Sequence, residues 1–406
     1  MEKGTYYSIT TKRFVLRSRH RDWLIEMQEL YNQVLRFYYD LFLEKENIQN
    51  LNNMQACRAL EVLTVVGRDK QPVPYPLPWE KLPLYFRRAA INAAISAGRS
   101  YLTRQKQQIP TERFAQSVTF YKGMYRDFTQ EEISLKVWNG MQWQWIHCRL
   151  SGNHLPKEAE CLSPCVVIRE KEIFLNVPVR QLVRDGRKAK ERMGEESSLC
   201  CVQFTNEDAA AVCVVLNGHG EQQSVHFLKG GKQYEHSCRL LMDRIERSNA
   251  AIGDQKDNQP NKKYWMKLKH ISDSFSNGIS RQIVNIALEQ GADIIVLPKY
   301  KEDYTRMVMK KVGNWSPLHA SFKIREQLSY KAWKEGLLLL EVDTWDAAGC
   351  CSKCGAPIKK EGTEYSCSNG HRGNRFMNTA VNMGRKCIAS FRKHASDQNQ
   401  GGNAEL

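Results

Sequence analysis

The stretch Cys351–Asn382, CSKCGAPIKKEGTEYSCSNGHRGNRFMNTAVN, decides more about this chain than any other. Two residues separate Cys351 from Cys354, twelve separate Cys354 from Cys367, and three separate Cys367 from His371. A turn between two such side chains aims both at one ion, and a second pair beyond a short hairpin completes a tetrahedron. Three thiolates and one imidazole leave no open position, so the expected centre is structural Zn²⁺ held by Cys351, Cys354, Cys367 and His371. Cys350, beside Cys351, competes for the register.

Around this motif lie 406 residues, enough for about two to four domains. Hydrophobic content of 42% and charged content of 26% are ordinary for a globular protein, whereas a net charge of +16 is not. That excess creates a positive surface field whose natural counterpart is a polyanion. No apolar run approaches the roughly 20 residues that span a bilayer, and no apolar h-region follows the amino terminus. A soluble, unexported protein with no membrane partner is expected. In that setting the 13 cysteines read as thiols or metal ligands, not as a disulfide framework.

Outward from the motif, period and composition divide the chain. Tyr6 to Leu16 alternates as a strand, and Asp22 to about Glu46 repeats at helical spacing through Leu24, Met27, Leu30, Tyr31, Val34, Leu35, Tyr38 and Leu41. Met54 to Val65 is a second helix, and Gln71 to Pro78 is a Pro-rich connector. A third helix runs from Leu84 to Gln107, with a narrow stripe of Phe86, Ala90, Ala93, Ala94 and Ala97 opposite Arg87, Arg88, Asn92, Arg99 and Arg104. From Phe114 to Val179 the period is two, with Asn-Gly and Ser-Gly-Asn turns. Arg180 to Arg192 is a basic linker, read either as a solvated face or as a nucleic-acid contact. Then come a hairpin (Leu199 to Phe204, Ala209 to Leu216), a strand (Ser224 to Leu228), a helix (Gln233 to Ser248) and the basic, aromatic stretch Asn261 to His270. A second helix carrying Phe275, Ile279, Ile283 and Ile286 and a buried strand, Asp293 to Leu297, follow. That order is the order of an RNase H-like core.

Strand, helical insertion, strands, RNase H-like core, zinc ribbon and the closing Arg375-x-x-Asn378-x-Ala380-x-Asn382 together resemble TnpB, the transposon-encoded RNA-guided nuclease, and its miniature type V CRISPR relatives. The resemblance implies an α+β multidomain fold. A β-barrel-like wedge domain would comprise 1–20 and 113–195, with a helical recognition lobe inserted at 21–112. A RuvC domain would comprise 196–347 and 372–392, with the zinc-ribbon target-nucleic-acid-binding module at 348–371 and a disordered tail at 393–406. It also implies a guide RNA, a double-stranded DNA target with a short flanking motif, and one or two copies of the chain, a homodimer in the latter case, on each RNA. The place would be the prokaryotic cytoplasm, at the nucleoid.

RuvC cleavage needs three carboxylates holding two divalent ions about 4 Å apart. By resemblance, the first Asp falls on Gln203 in Cys201-Val202-Gln203-Phe204-Thr205, the second acid on Pro298 and the third on Phe376. Gln203 has no charge, and Pro298 and Phe376 offer no side-chain oxygen to a hard cation. Asp208 and Asp293 stand at odd offsets, on the opposite face of an extended strand, and Glu207 about 13 Å along it. The expectation is no catalytic Mg²⁺ and no cleavage: an RNA-guided DNA-binding protein acting as a transcriptional repressor or roadblock. The alternatives are a targeting subunit for a transposition or transcription partner and, third, an active nuclease with displaced ligands. Expected nucleic-acid contacts are Arg87, Arg88, Asn92, Arg99 and Arg104, with Lys262, Lys263, Trp265 and Lys267.

Overall fold

The protein is described by a computed structural model covering residues 6–67, 70–104, 113–156, 160–192, 197–252, 261–300, 302–344 and 346–401. Positions 105–107 of the expected third helix, 193–196 between the expected wedge and RuvC domains, and 402–406 of the expected tail lie outside these residues. The fold is α+β, with two compact units: Ile9–Gln181, and Leu182–Leu406 with Met1–Ser8.

In the first unit the strand Tyr7–Arg17 enters an eight-stranded, half-barrel sheet between Ile173–Leu182 and Trp143–Ser151. Its apolar residues alternate: Ile133, Leu135 and Val137 are buried, as are Ile146, Cys148 and Leu150 on the paired strand. Three helices, Arg21–Glu44, Asn53–Thr64 and Leu84–Thr103, form the insertion. Asn52 and Gln55 make a reciprocal capping box that fixes the start of the second. The buried stripe of the third runs through Ala90, Ala94 and Gly98, while Ala93 and Ala97 are only half-buried. A Cβ on Gly98 would run into the Phe42 ring, so the first and third helices cross closely.

In the second unit five strands lie in the order Gln222–Leu228, Ala211–Asn217, Ser198–Phe204, Ile294–Lys299, Leu338–Asp343. The first three are antiparallel neighbours, and the last two run parallel to Ser198–Phe204, which is RNase H-like topology. The central strands are apolar on both faces because both are covered. Cys200, Val202, Phe204, Ile295 and Leu297 pack with residues of the helices Gly231–Ile252, Lys262–Glu289 and Pro317–Lys334. Leu199, Cys201, Val212, Val214, Ile294 and Val296 pack with Ala380, Val381, Met383 and Cys387 of the helix Arg375–Gly401. That helix continues into the stretch expected as a tail, where Pro is absent and Lys393, Ala395 and Gln398 have favourable helix propensity.

The basic stretch Lys262 to His270 also differs in form from its expected place before a helix, since it is the helix's first turns. The basic linker is partly internal. Arg192 is buried, with its guanidinium donating to the carbonyls of Arg187 (2.9 Å), Asp293 (3.3 Å), Gly336 (2.5 Å) and Asp185. Arg187 pairs with Asp185 at 2.9 Å.

Close approach of the Arg375–Gly401 helix to the sheet depends on Gly384. A Cβ there would lie 2.5 Å from Cys201 Sγ and closer still to Leu216 Cδ1. Gly384→Ala is therefore expected to destabilise by about 1–3 kcal/mol. Gly278→Ala, mid-helix with nothing within 4 Å of its Cβ, is expected to stabilise by up to about 1 kcal/mol. Urea denaturation measures both, and equal effects of one sign would contradict the packing described.

Candidate functional site

The four zinc-motif side chains converge. Their ligand atoms all lie within 4.8 Å of one another. Cys354 Sγ stands 3.7 Å from Cys367 Sγ, and His371 Nδ1 stands 3.7 Å from Cys351 Sγ and 3.6 Å from Cys367 Sγ. A tetrahedron with Zn–S near 2.3 Å and Zn–N near 2.0–2.1 Å has edges of about 3.5–3.8 Å, so the Cys₃His group fits zinc. Each half is a turn closed by backbone bonds: Gly355 N–H to Cys351 O at 2.8 Å, and Gly370 N–H to Cys367 O at 3.0 Å. Both glycines have positive φ (74° and 78°), the conformation glycine adopts most readily. Burial opposes ionisation of the Cys351 thiol. The Lys353 and Cys354 amides and the Tyr365 hydroxyl oppose that, and its pKa falls to about 6. Cys350 is not in the group; its thiol faces Asp346 O at 3.3 Å.

Cys350 instead contributes its carbonyl. Asn378 Nδ2 donates to it at 2.8 Å and Asn382 Nδ2 at 2.9 Å, while Asn378 Oδ1 accepts from Ser352 N–H at 2.7 Å. Asn382 also donates to Ala347 O at 3.0 Å. Four residues apart on a helix, the two amides share a face, and they clamp the first zinc turn to the helix that covers the sheet. The Asn-x-Ala-x-Asn spacing was legible in the sequence; its clamping role was not, because it needs the partner carbonyls.

The three expected metal positions meet on one face. The parallel register pairs Val296 with Cys201, and Gln203 and Pro298 each lie two residues further along their strands. Both share the face of Leu199, Cys201, Ile294 and Val296, since alternate residues point the same way. Phe376, in the first turn of the Arg375–Gly401 helix, packs against the cluster on that face. Val342, also apolar, pairs with Pro298 from the other side. Gln203 Nε2 donates to Phe204 O at 2.9 Å, and its Oε1 is buried without a donor.

The neighbouring acids lie elsewhere. Asp293 Oδ2 accepts from Ser198 N–H at 3.3 Å, at the other end of the strand from Gln203. Glu207 and Asp208 do not extend the strand, which ends at Phe204 as the hairpin reading expected: the chain turns there, with Thr205 N–H bonded to Ala210 O at 2.9 Å. Among the described residues, no group of three His, Cys, Asp or Glu other than the zinc set could hold an ion.

The expected nucleic-acid contacts fall into two kinds. Arg87 and Arg88 both pair with Glu61, at 3.1 and 2.9 Å. Asn92 donates to the Tyr121 hydroxyl at 3.0 Å. Arg99 bonds Asn53 and, at 2.5 Å, the Leu51 carbonyl. Arg104 is exposed at the helix end. Charge reversal at 87 and 88 would crowd three carboxylates and disturb helix packing as well as any ligand. Lys262, Lys263, Trp265 and Lys267 are exposed, Trp265 by 44%. Lys262, Lys263 and Lys267 line one cleft with Arg244 and His270. No acid pairs with these lysines among the described residues.

Two outcomes test this geometry. Purified protein should carry one zinc per chain by elemental analysis, and His371→Ala should release it; retention would break the proposed set. Asn378→Ala leaves the part-buried Ser352 amide without its acceptor and removes one donor from the Cys350 carbonyl, so it should cost about 1 kcal/mol in urea denaturation, and an unchanged stability would remove the clamp.

Residues 322–383 match the Cas12f1-like TNB domain model, and residues 8–139 match that of the Aq_aa04 family. No curated protein is similar in sequence. Among solved structures, the Cas12f1–sgRNA–target DNA complex is 13% identical, covering 89% of this chain and 81% of that one, at TM-score 0.50. The mini-RNA-guided endonuclease CRISPR-Cas phi3 is 8% identical over 95% of this chain and 93% of that one, at TM-score 0.55. The chain thus has the fold of these miniature RNA-guided CRISPR effectors, and its residues 322–383 are similar to the Cas12f1-like TNB domain.

Proposed function

We propose that this protein binds double-stranded DNA under the direction of a guide RNA, does not cut it, and blocks transcription by staying bound. What supports the second part is the placement of Gln203 and Pro298, by strand alternation, on the sheet face against which Phe376 packs. A two-metal centre must offset four positive charges, and an amide and two apolar side chains cannot. The first part is supported by the fold and by the similar Cas12f1 complex, which contains a guide RNA and a target DNA.

In such a scaffold base pairing supplies sequence specificity, and the protein holds the heteroduplex through backbone contacts in a positive channel. The exposed cleft of Lys262, Lys263 and Lys267 beside Trp265 suits that task, with charge for phosphates and an indole face for an unpaired base. No described helix is long and apolar enough to cross a membrane.

RNA that co-purifies with the protein, once sequenced, supplies the guide. With that guide, a labelled matching duplex and Mg²⁺, the expected result is a specific retarded complex and an intact strand; specific cutting overturns the reading. Joint Lys262→Glu, Lys263→Glu and Lys267→Glu should weaken the complex. The slope of log affinity against log salt should fall by about 1 for each phosphate that the variant no longer neutralises.

A further inference from the structure

Beside Phe376 stands Arg375, whose guanidinium carbon lies 4.4 Å from the Phe376 ring centroid. That is cation–π distance over a ring. Several other shielded arginines have acid partners, Arg87 with Glu61, Arg192 with Asp185 and Arg325 with Glu341, and Arg99 and Arg21 bond carbonyls. Arg375 has none among the described residues, and its Nε is buried with no acceptor. Its backbone is fixed independently, because Arg375 N–H donates to Thr363 O of the zinc-ribbon hairpin at 2.9 Å. The face next to it carries no carboxylate at 203, 298 or 376 to neutralise the guanidinium.

We propose that the start of this helix is a metal-free phosphodiester site: Arg375 takes a phosphate oxygen of a nucleic-acid strand, and Phe376 holds the guanidinium in place and offers an apolar edge to the adjoining base. The inference rests on the absence of cleavage proposed above. An acid at 376 would pair with Arg375 and repel a phosphate unless metal ions intervened. Phe376 removes that competition and leaves the guanidinium donors available. Guanidinium suits this task because its planar fork matches two phosphate oxygens and stays charged at any physiological pH.

The test uses full-length, guide-loaded protein, a fluorescein-labelled oligothymidylate strand, and buffer free of added divalent ions, with anisotropy read over a range of NaCl. Arg375→Ala and Phe376→Asp are each expected to weaken binding roughly tenfold, and to lower the salt slope by about 1. Arg375→Lys should keep the slope while binding somewhat more weakly. Zinc content and melting temperature report folding of each variant. Unchanged affinity and slope in Arg375→Ala and Phe376→Asp, with zinc and melting intact, overturns the site and leaves the proposal of an uncut target standing. Mg²⁺-dependent cutting of a matching duplex by the unaltered protein would instead overturn that proposal, whatever the anisotropy shows.

Discussion

The packing of the Arg375–Gly401 helix on the central strands holds the rest of the second unit in order. It is close because Gly384 and Ala380 lack bulk where Cys201 and Leu216 lie. The same helix carries Phe376 in its first turn and Asn378 and Asn382 one and two turns on. One rigid element therefore covers the sheet, carries the third of the three positions where carboxylates were expected, and holds the Cys351–Cys354 turn through the Cys350 carbonyl. Zinc held by this group would fix geometry beside that face without offering it any chemistry. Its closed Cys₃His set has no vacant position for a substrate.

On the proposed reading of the site, the electrostatic consequence is a change of sign. A RuvC pocket with its acids is negative until metal ions enter, and phosphate is then held through the metals. With Gln203, Pro298 and Phe376 the local charge comes from Arg375. The scaffold's packing is not disturbed by this. Phe376 packs on the apolar surface of Val296 and Val342, Pro298 pairs with Val342, and Gln203 folds its amide back onto the Phe204 carbonyl.

Much of the second unit was legible because its strands are short apolar runs of the right length and its helices have strong spacing. The strand Leu338–Asp343 and the helices Glu302–Val312 and Pro317–Lys334 were not read. The strand follows the Trp333–Leu337 turn as a run of leucines that periodicity does not distinguish from helix. The convergence of Cys351, Cys354, Cys367 and His371 was legible, since their spacing constrains it. Charged side chains were the least legible. Arg87, Arg88 and Arg99 looked like a free basic face, yet each finds a partner far away in sequence: Glu61, Asn53 and the Leu51 carbonyl. Arg192 likewise reads as one more linker charge and is a buried staple for four carbonyls. Helical periodicity reports which residues share a face, and says nothing of what that face meets.

Anomalous diffraction from crystals soaked in MnCl₂ tests the central claim most directly. The expected map has a zinc peak among Cys351, Cys354, Cys367 and His371, and no manganese beside Gln203, Pro298 and Phe376. Two manganese peaks there, about 3.5–4 Å apart, would contradict it.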